Sequence, residues 1–208
     1  MKTVLQLYLL SIFIFLISCA TQKVDIPVFE GVDIKEVFNA KKEVSVIDTT
    51  FSITFEKDEG ELRGDGILRI SKAGDLNLRV YSLGFLALEV SSLNGVIKSN
   101  PRIDKNKGKI LIDGLRHCFF WWDIEDYTVD ELEDVFILKN LSREVWLDRR
   151  TILPVKQVIS LEDGRELIIN YGDNKKFGDV WYPSIISINL LRYSVKLKVE
   201  DISLSGSV

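Results

Sequence analysis

Histidine and cysteine are almost missing from this chain: 208 residues contain one histidine and two cysteines. A metal centre built from imidazole and thiolate therefore lacks ligands, and no Asp/Glu cluster has the spacing of a calcium loop. A Ser-His-Asp or Cys-His arrangement would have to use His117. Its sequence neighbour Cys118 is no partner, because adjacent residues on a helix do not face each other. His117 reads as a structural, hydrogen-bonded ring and Cys118 as a buried, inert thiol. A glycine-rich phosphate loop is also missing: Gly64-Asp65-Gly66 sits in a strand-like run, where glycine relieves crowding or marks a bulge. The 27 basic residues are scattered among 31 acidic ones, which leaves no electrostatic footprint for nucleic acid. The acidic stretch from Glu125 to Asp134 reads as a solvated face, and no pair of carboxylates is singled out for glycosidic chemistry. No catalytic constellation and no cofactor follow from these residues, so the expectation is a protein that is not an enzyme.

Long apolar runs are also scarce, with one exception at the start. After Met1-Lys2, residues Val4 to Ile17 form an apolar segment of secretory-signal length, closed by Leu16-Ile17-Ser18-Cys19. It is short for a membrane span and is followed abruptly by polar chain. This pattern resembles a bacterial lipoprotein signal, in which the cysteine becomes a lipidated N-terminus. The resemblance implies a leader over 1–18, a lipidated Cys19 with a linker over 19–32, and a mature domain of roughly 190 residues, enough for a full core. A single acyl chain binds membranes only marginally, at about 0.8 kcal/mol per buried CH₂, so a multiply acylated Cys19 would be the permanent tether. With Cys19 lipidated, Cys118 has no intrachain disulfide partner and the fold must hold without cross-links.

Asp33-Ile34-Lys35-Glu36 reads as a helix start, with Ile34, Val37, Phe38 and Lys41 on one face. From residue 44 the pattern changes to period-2 alternation, as in 51–55, 76–80, 86–90, 135–138, 143–147, 155–161, 166–171, 185–190 and 195–200. Turn signals stand at Asp58-Glu59-Gly60, Lys72 to Asp75, Asn94-Gly95, Asn106-Lys107-Gly108, Asp163-Gly164 and Gly172-Asp173-Asn174. Such spacing suits antiparallel hairpins and leaves little room for crossover helices. The expected fold is mainly β: one domain over 33–208, a strongly curved antiparallel sheet or unclosed half-barrel with covering helices.

One segment breaks the alternation. Leu115, Cys118, Phe119 and Trp122 fall on one helical face, while Phe120 and Trp121 point elsewhere. A helix over 115–122 that is apolar nearly all round is either a plug of ordinary core or a mobile lid over a hydrophobic cavity.

Three further stretches carry a family resemblance. Tyr81-Ser82-Leu83-Gly84-Phe85-Leu86-Ala87-Leu88-Glu89-Val90 is a strand, a leucine-glycine loop and an alternating strand. Trp146 to Pro154 is a strand, a charged turn and a proline, and Trp181-Tyr182-Pro183 leads to the alternation of 195–199. Together with the lipoprotein signal and the interrupting apolar segment, the chain resembles the LolA/LolB-like periplasmic lipoprotein carriers over roughly 33–204. That resemblance implies an acyl-binding cavity, for which Leu115, Phe119, Trp122, Phe51 and Phe55 are the candidate lining. It also implies that Leu83 and Gly84 form a membrane-insertion loop. Expected partners are lipid acyl chains or lipoproteins, a periplasmic carrier protein, and the membrane through the lipid anchor, with a monomer as working form. Ala20 after Cys19 resembles the pattern of outer-membrane destination. The alternative function is an envelope scaffold or assembly lipoprotein that binds a protein partner.

Overall fold

The computed structural model describes residues 26, 28, 33–57 and 60–206. The leader, Cys19 and the tip residues Asp58 and Glu59 therefore lie outside the described residues.

The chain enters through α1 (Ile34–Lys42), capped by Asp33, whose Oδ1 accepts the Lys35 N–H at 2.9 Å. Five strands follow: β1 (Val44–Lys57), β2 (Gly60–Ser71), β3 (Leu76–Ser82), β4 (Phe85–Leu93) and β5 (Val96–Asn100). Next come α2 (Lys105–Phe119) and β6 (Thr128–Glu131), β7 (Val135–Lys139), β8 (Arg143–Asp148) and β9 (Pro154–Ser160). The chain closes with β10 (Glu166–Phe177), β11 (Val180–Leu190) and β12 (Tyr193–Gly206). All twelve strands form one sheet in the order β5-β4-β3-β2-β1-β12-β11-β10-β9-β8-β7-β6, antiparallel throughout. The sheet does not close, which is the expected half-barrel.

This order has a consequence for the concave side. The first and last strands pair at the centre, and each half of the chain meanders outward from that pair. Strands β5 and β6 are then the two free edges, although they are consecutive in sequence. The connection between them must cross the open side, and α2 is that crossing. Register shifts at Thr50/Phe51, Val80/Tyr81 and Trp146/Leu147 mark bulges that add bend to the sheet. Period-2 alternation turns Ile47, Phe51, Leu68, Ile70, Leu78, Val90, Val145, Ile169, Ile186 and Leu197 into one buried core. The outer face carries cross-strand ion pairs, Arg69 with Asp48 at 2.7 Å and Arg79 with Glu89 at 2.9 Å.

Three local expectations are corrected. Asn106-Lys107-Gly108 is no turn but the first turn of α2, because the Asp104 carboxylate accepts the Asn106 and Lys107 N–H groups at 2.9 and 3.3 Å. Glycine is tolerated there because the helix lies close on the sheet: a Cβ on Gly108 would stand 3.3 Å from Ile97, and one on Gly114 3.0 Å from Leu167. Gly172-Asp173-Asn174 lies inside β10, where Asp173 has φ 51° while the pairing with β11 continues; the reversal is at Gly178-Asp179. The apolar helix does not span 115–122. It begins at Lys105 and ends at Phe119, and Phe120, with φ −96° and ψ 55°, turns the chain out of it.

Gly66 packs against a core ring, since a Cβ there would fall 2.3 Å from Phe51. Gly66→Val should lower stability by about 1–3 kcal/mol through overpacking. Gly172→Ala, where a Cβ meets nothing within 4 Å, should shift the melting temperature little by comparison.

Candidate functional site

A helix leaves its last carbonyls without partners and its C-terminus partly negative. At the end of α2 these carbonyls are buried, and the side chain that meets them is Arg143 of β8. Its Nη2 donates to the carbonyls of His117, Phe120 and Trp121 at 3.2, 3.3 and 3.0 Å, and its Nη1 to that of Asp123 at 2.7 Å. Its Nε donates to Gln157 Oε1 at 2.7 Å. Burial pushes the guanidinium down to about 10, which still leaves it charged at neutral pH. Gln157 Nε2 donates to the His117 carbonyl at 3.0 Å and also pairs with the Tyr171 hydroxyl. Tyr171 donates to the Cys118 carbonyl at 2.9 Å and Tyr182 to that of Phe119 at 2.8 Å. Four polar side chains from four neighbouring strands thus hold one helix end.

Beyond this end Phe119, Phe120, Trp121 and Trp122 are all buried. Phe119 stacks on Tyr182 with centroids 6.4 Å apart, and Trp121 meets Trp122 edge-on at 5.2 Å. From the other side α1 seals the group: Phe38 lies 5.8 Å from Trp121, and Lys41 Nζ sits 5.2 and 4.9 Å from the Trp121 and Trp122 rings. Burial lowers the Lys41 amine to about 8. This part of the concavity is solid core.

Cys118 is buried in the core, while its neighbour His117 is half-buried and borders a cleft. Burial, then the charges of Arg143 and Arg116, push the His117 imidazole down to about 3. Burial raises the Cys118 thiol well above its ordinary range. The thiol is protonated and the ring neutral, but the buried His117 Nδ1 has no hydrogen-bond partner, so the hydrogen-bonded ring expected from the sequence is not what the fold builds. Beside them opens a polar cleft of about 360 Å³ between Lys72, Arg116, Asp123 and Asn140, where Asp123 is paired to Lys72 at 3.0 Å. A second, wider hollow of about 790 Å³ lies around Arg69, Asn77, Ser91 and Lys98. Among the described residues, no group of three His, Cys, Asp or Glu side chains could hold a metal ion. Among them, too, no helix is long and apolar enough to cross a membrane.

The opposite end of the half-barrel is built differently. Strands β3 and β4 are joined by the two-residue turn Leu83-Gly84, with φ 51° and 81°. Leu83 is 94% exposed and Phe85 78%, and Leu86 is exposed as well. Below this rim the inward-facing Ile53, Phe55, Leu88, Ile188, Leu190 and Val195 are only half-buried. Phe55 stacks on Tyr193 at 6.2 Å.

The fold therefore divides the expected residues. Phe51, Leu115, Phe119 and Trp122 share the buried core, Phe55 is half-buried near the rim and stacks on Tyr193 apart from that core, and Leu83-Gly84 form the protruding turn. Arg143, Gln157, Tyr171 and Tyr182 escaped sequence reasoning. Their signal was phase: in Arg143-Glu144-Val145-Trp146-Leu147 the arginine is in step with the two inward aliphatics.

Arg143→Met should destabilise the fold by about 3 kcal/mol or more, because several buried carbonyls lose their donor at once; chemical denaturation measures this. The depressed His117 pKa sets a pH slope. Between pH 6.5 and about 3 the unfolded chain binds the proton that the native ring refuses, so stability falls as pH falls through that window. The contribution approaches about 1.4 kcal/mol per pH unit, and His117→Gln should remove it from the acid-denaturation profile.

No family model and no curated protein matches this chain. Solved structures match it in fold. A LolA superfamily protein from Nitrosomonas europaea superposes with a TM-score of 0.54 at 12% identity, over 85% of this chain and 96% of that one. A DUF1329 family protein from Desulfovibrio piger gives 0.54 at 7% identity, over 88% and 95%. At these identities the likeness is one of fold: this chain's unclosed antiparallel sheet, crossed on its concave side by a helix, is a LolA-like fold.

Proposed function

We propose that this chain is a lipoprotein, anchored in the outer membrane through Cys19, that receives acyl chains of lipoproteins or lipids and takes part in their transfer or insertion. In this layout 1–18 is the leader, 19–32 the lipidated linker and 33–208 the lipid-binding domain. The observation that carries the reading is Leu83: a leucine 94% exposed, at the tip of a hairpin that grows out of the rim of an open half-barrel. Burying a leucine side chain is worth about 1.5–3 kcal/mol, and an acyl environment at the rim is where that free energy is available to Leu83.

Phe119 to Trp122 occupy one end of the concavity, so the acyl route runs from the rim along Phe55, Ile53, Val195 and Ile188, with Phe51, Leu115, Phe119 and Trp122 as its floor. No reaction is needed. Transfer follows from the difference in affinity between donor, half-barrel and membrane. The solid aromatic packing is the one observation that favours the second reading, a scaffold lipoprotein whose sheet binds an envelope protein.

Native mass spectrometry of the mature protein separates the two. Co-purified lipid, or saturable uptake of a lipidated peptide, is the expected result; folded protein that takes up neither leaves the scaffold. Leu83→Glu should keep the melting temperature and abolish delivery into liposomes, whereas unchanged delivery rejects a role for the loop.

A further inference from the structure

The Leu83 turn has a counterpart two hairpins along the sheet. Strands β4-β3-β2-β1-β12-β11 are consecutive neighbours, and the hairpins β3–β4, β1–β2 and β11–β12 all turn at the same end. Leu190 pairs with Tyr193, so β11–β12 is another two-residue turn, Leu191-Arg192. Leu191 repeats both properties of Leu83: it has φ 54° and is 74% exposed. Short hairpins favour asparagine, aspartate or glycine at positive φ, and water disfavours a lone leucine at a tip. Leu83 and Leu191 each go against both preferences, at one end of the same six strands.

The geometry points to a two-point membrane contact in which Leu191 enters the bilayer beside Leu83 and holds the rim of the half-barrel against lipid. This rests on the reading of the protein as a receiver of acyl chains. The occupant is a lipid surface because the apolar groups are separate projecting tips, not the continuous flat patch of roughly 800 Å² per partner that a stable protein interface needs. The residues behind Leu191 have the order of an interfacial belt. The Arg192 guanidinium lies 5.7 Å over the Tyr193 ring, and Tyr193 stacks on Phe55. A cation at headgroup level above an aromatic ring suits a leucine one residue away in the acyl layer. Phe55 in turn opens the half-buried section, so this prong stands at the entrance of the proposed acyl route. Between the prongs, Glu56 and the ion pair of Arg63 with Glu61 give the rim mixed charge, so insertion, not net charge, drives the contact.

The test uses the full lipidated protein reconstituted in phosphatidylcholine liposomes, with an environment-sensitive fluorophore on Leu83→Cys, Leu191→Cys or Leu141→Cys. Cys118 is buried and stays unlabelled in folded protein. Leu141 is an equally exposed leucine, but its turn flanks the polar cleft with Lys72, away from the rim. A blue shift and quenching by nitroxide-bearing lipids at positions 83 and 191 but not 141, persisting in high salt, is the expected result. Insertion at 83 alone overturns the second contact and leaves the role of Leu83 standing. Insertion at neither overturns both. A signal at 141 as well, or loss of all signals in salt, means unspecific adsorption and also overturns the proposal.

Discussion

The buried guanidinium of Arg143 is the interaction on which the concave side depends. The chain must cross from one sheet edge to the other, and the helix that makes the crossing ends inside the core, where its last carbonyls have no access to water. An unpaired buried carbonyl costs about 1–3 kcal/mol, so several at one place would break the crossing. Arg143 donates to the carbonyls of His117, Phe120, Trp121 and Asp123, at the helix end and just beyond it; Gln157 shares that of His117, and Tyr171 and Tyr182 meet those of Cys118 and Phe119. Among the described residues, no carboxylate forms a direct ion pair with it. The helix end itself supplies the compensating negative charge.

That anchorage gives the half-barrel two unlike ends. At one, the chain leaves the helix as four consecutive buried aromatics that α1 covers, and the interior is filled by their rings. At the other, the inward residues remain half-buried and the hairpin tips carry leucine where turn chemistry would choose asparagine or glycine. A fold with one sealed end and one apolar rim is polarised, which is what directional exchange with a membrane requires. The carrier reading and the membrane contact both draw on that asymmetry.

The strands and the first helix were legible because their signals are local. Alternation in 76–80 or 195–199 states which side faces a core without saying what the core contains. Asp33 capped its helix as read, and Leu83-Gly84 turned as read. The misread segments share one cause. Gly108 looks like a turn residue until Ile97 is seen against it, and Gly172-Asp173 looks like a reversal until its strand is seen to stay paired with β11. In both, tertiary contact overrode a local preference. Arg143 was missed although its phase was visible, because an inward arginine is unreadable without knowing that a helix end lies opposite.

By itself, then, the sequence determined an antiparallel β protein with an interrupting apolar segment, few histidines and cysteines, and a leucine-glycine turn between two strands. Each follows from composition or from periods of two to four residues. Only the tertiary structure decided that β1 meets β12, where the Thr49 hydroxyl donates to the Asp201 carbonyl at 2.7 Å across 152 residues. That pairing makes β5 and β6 the edges, sends α2 over the concavity and brings the Leu191 turn to the same rim as Leu83. Contacts between residues so far apart follow from the order of strands in the sheet, and no local pattern encodes that order.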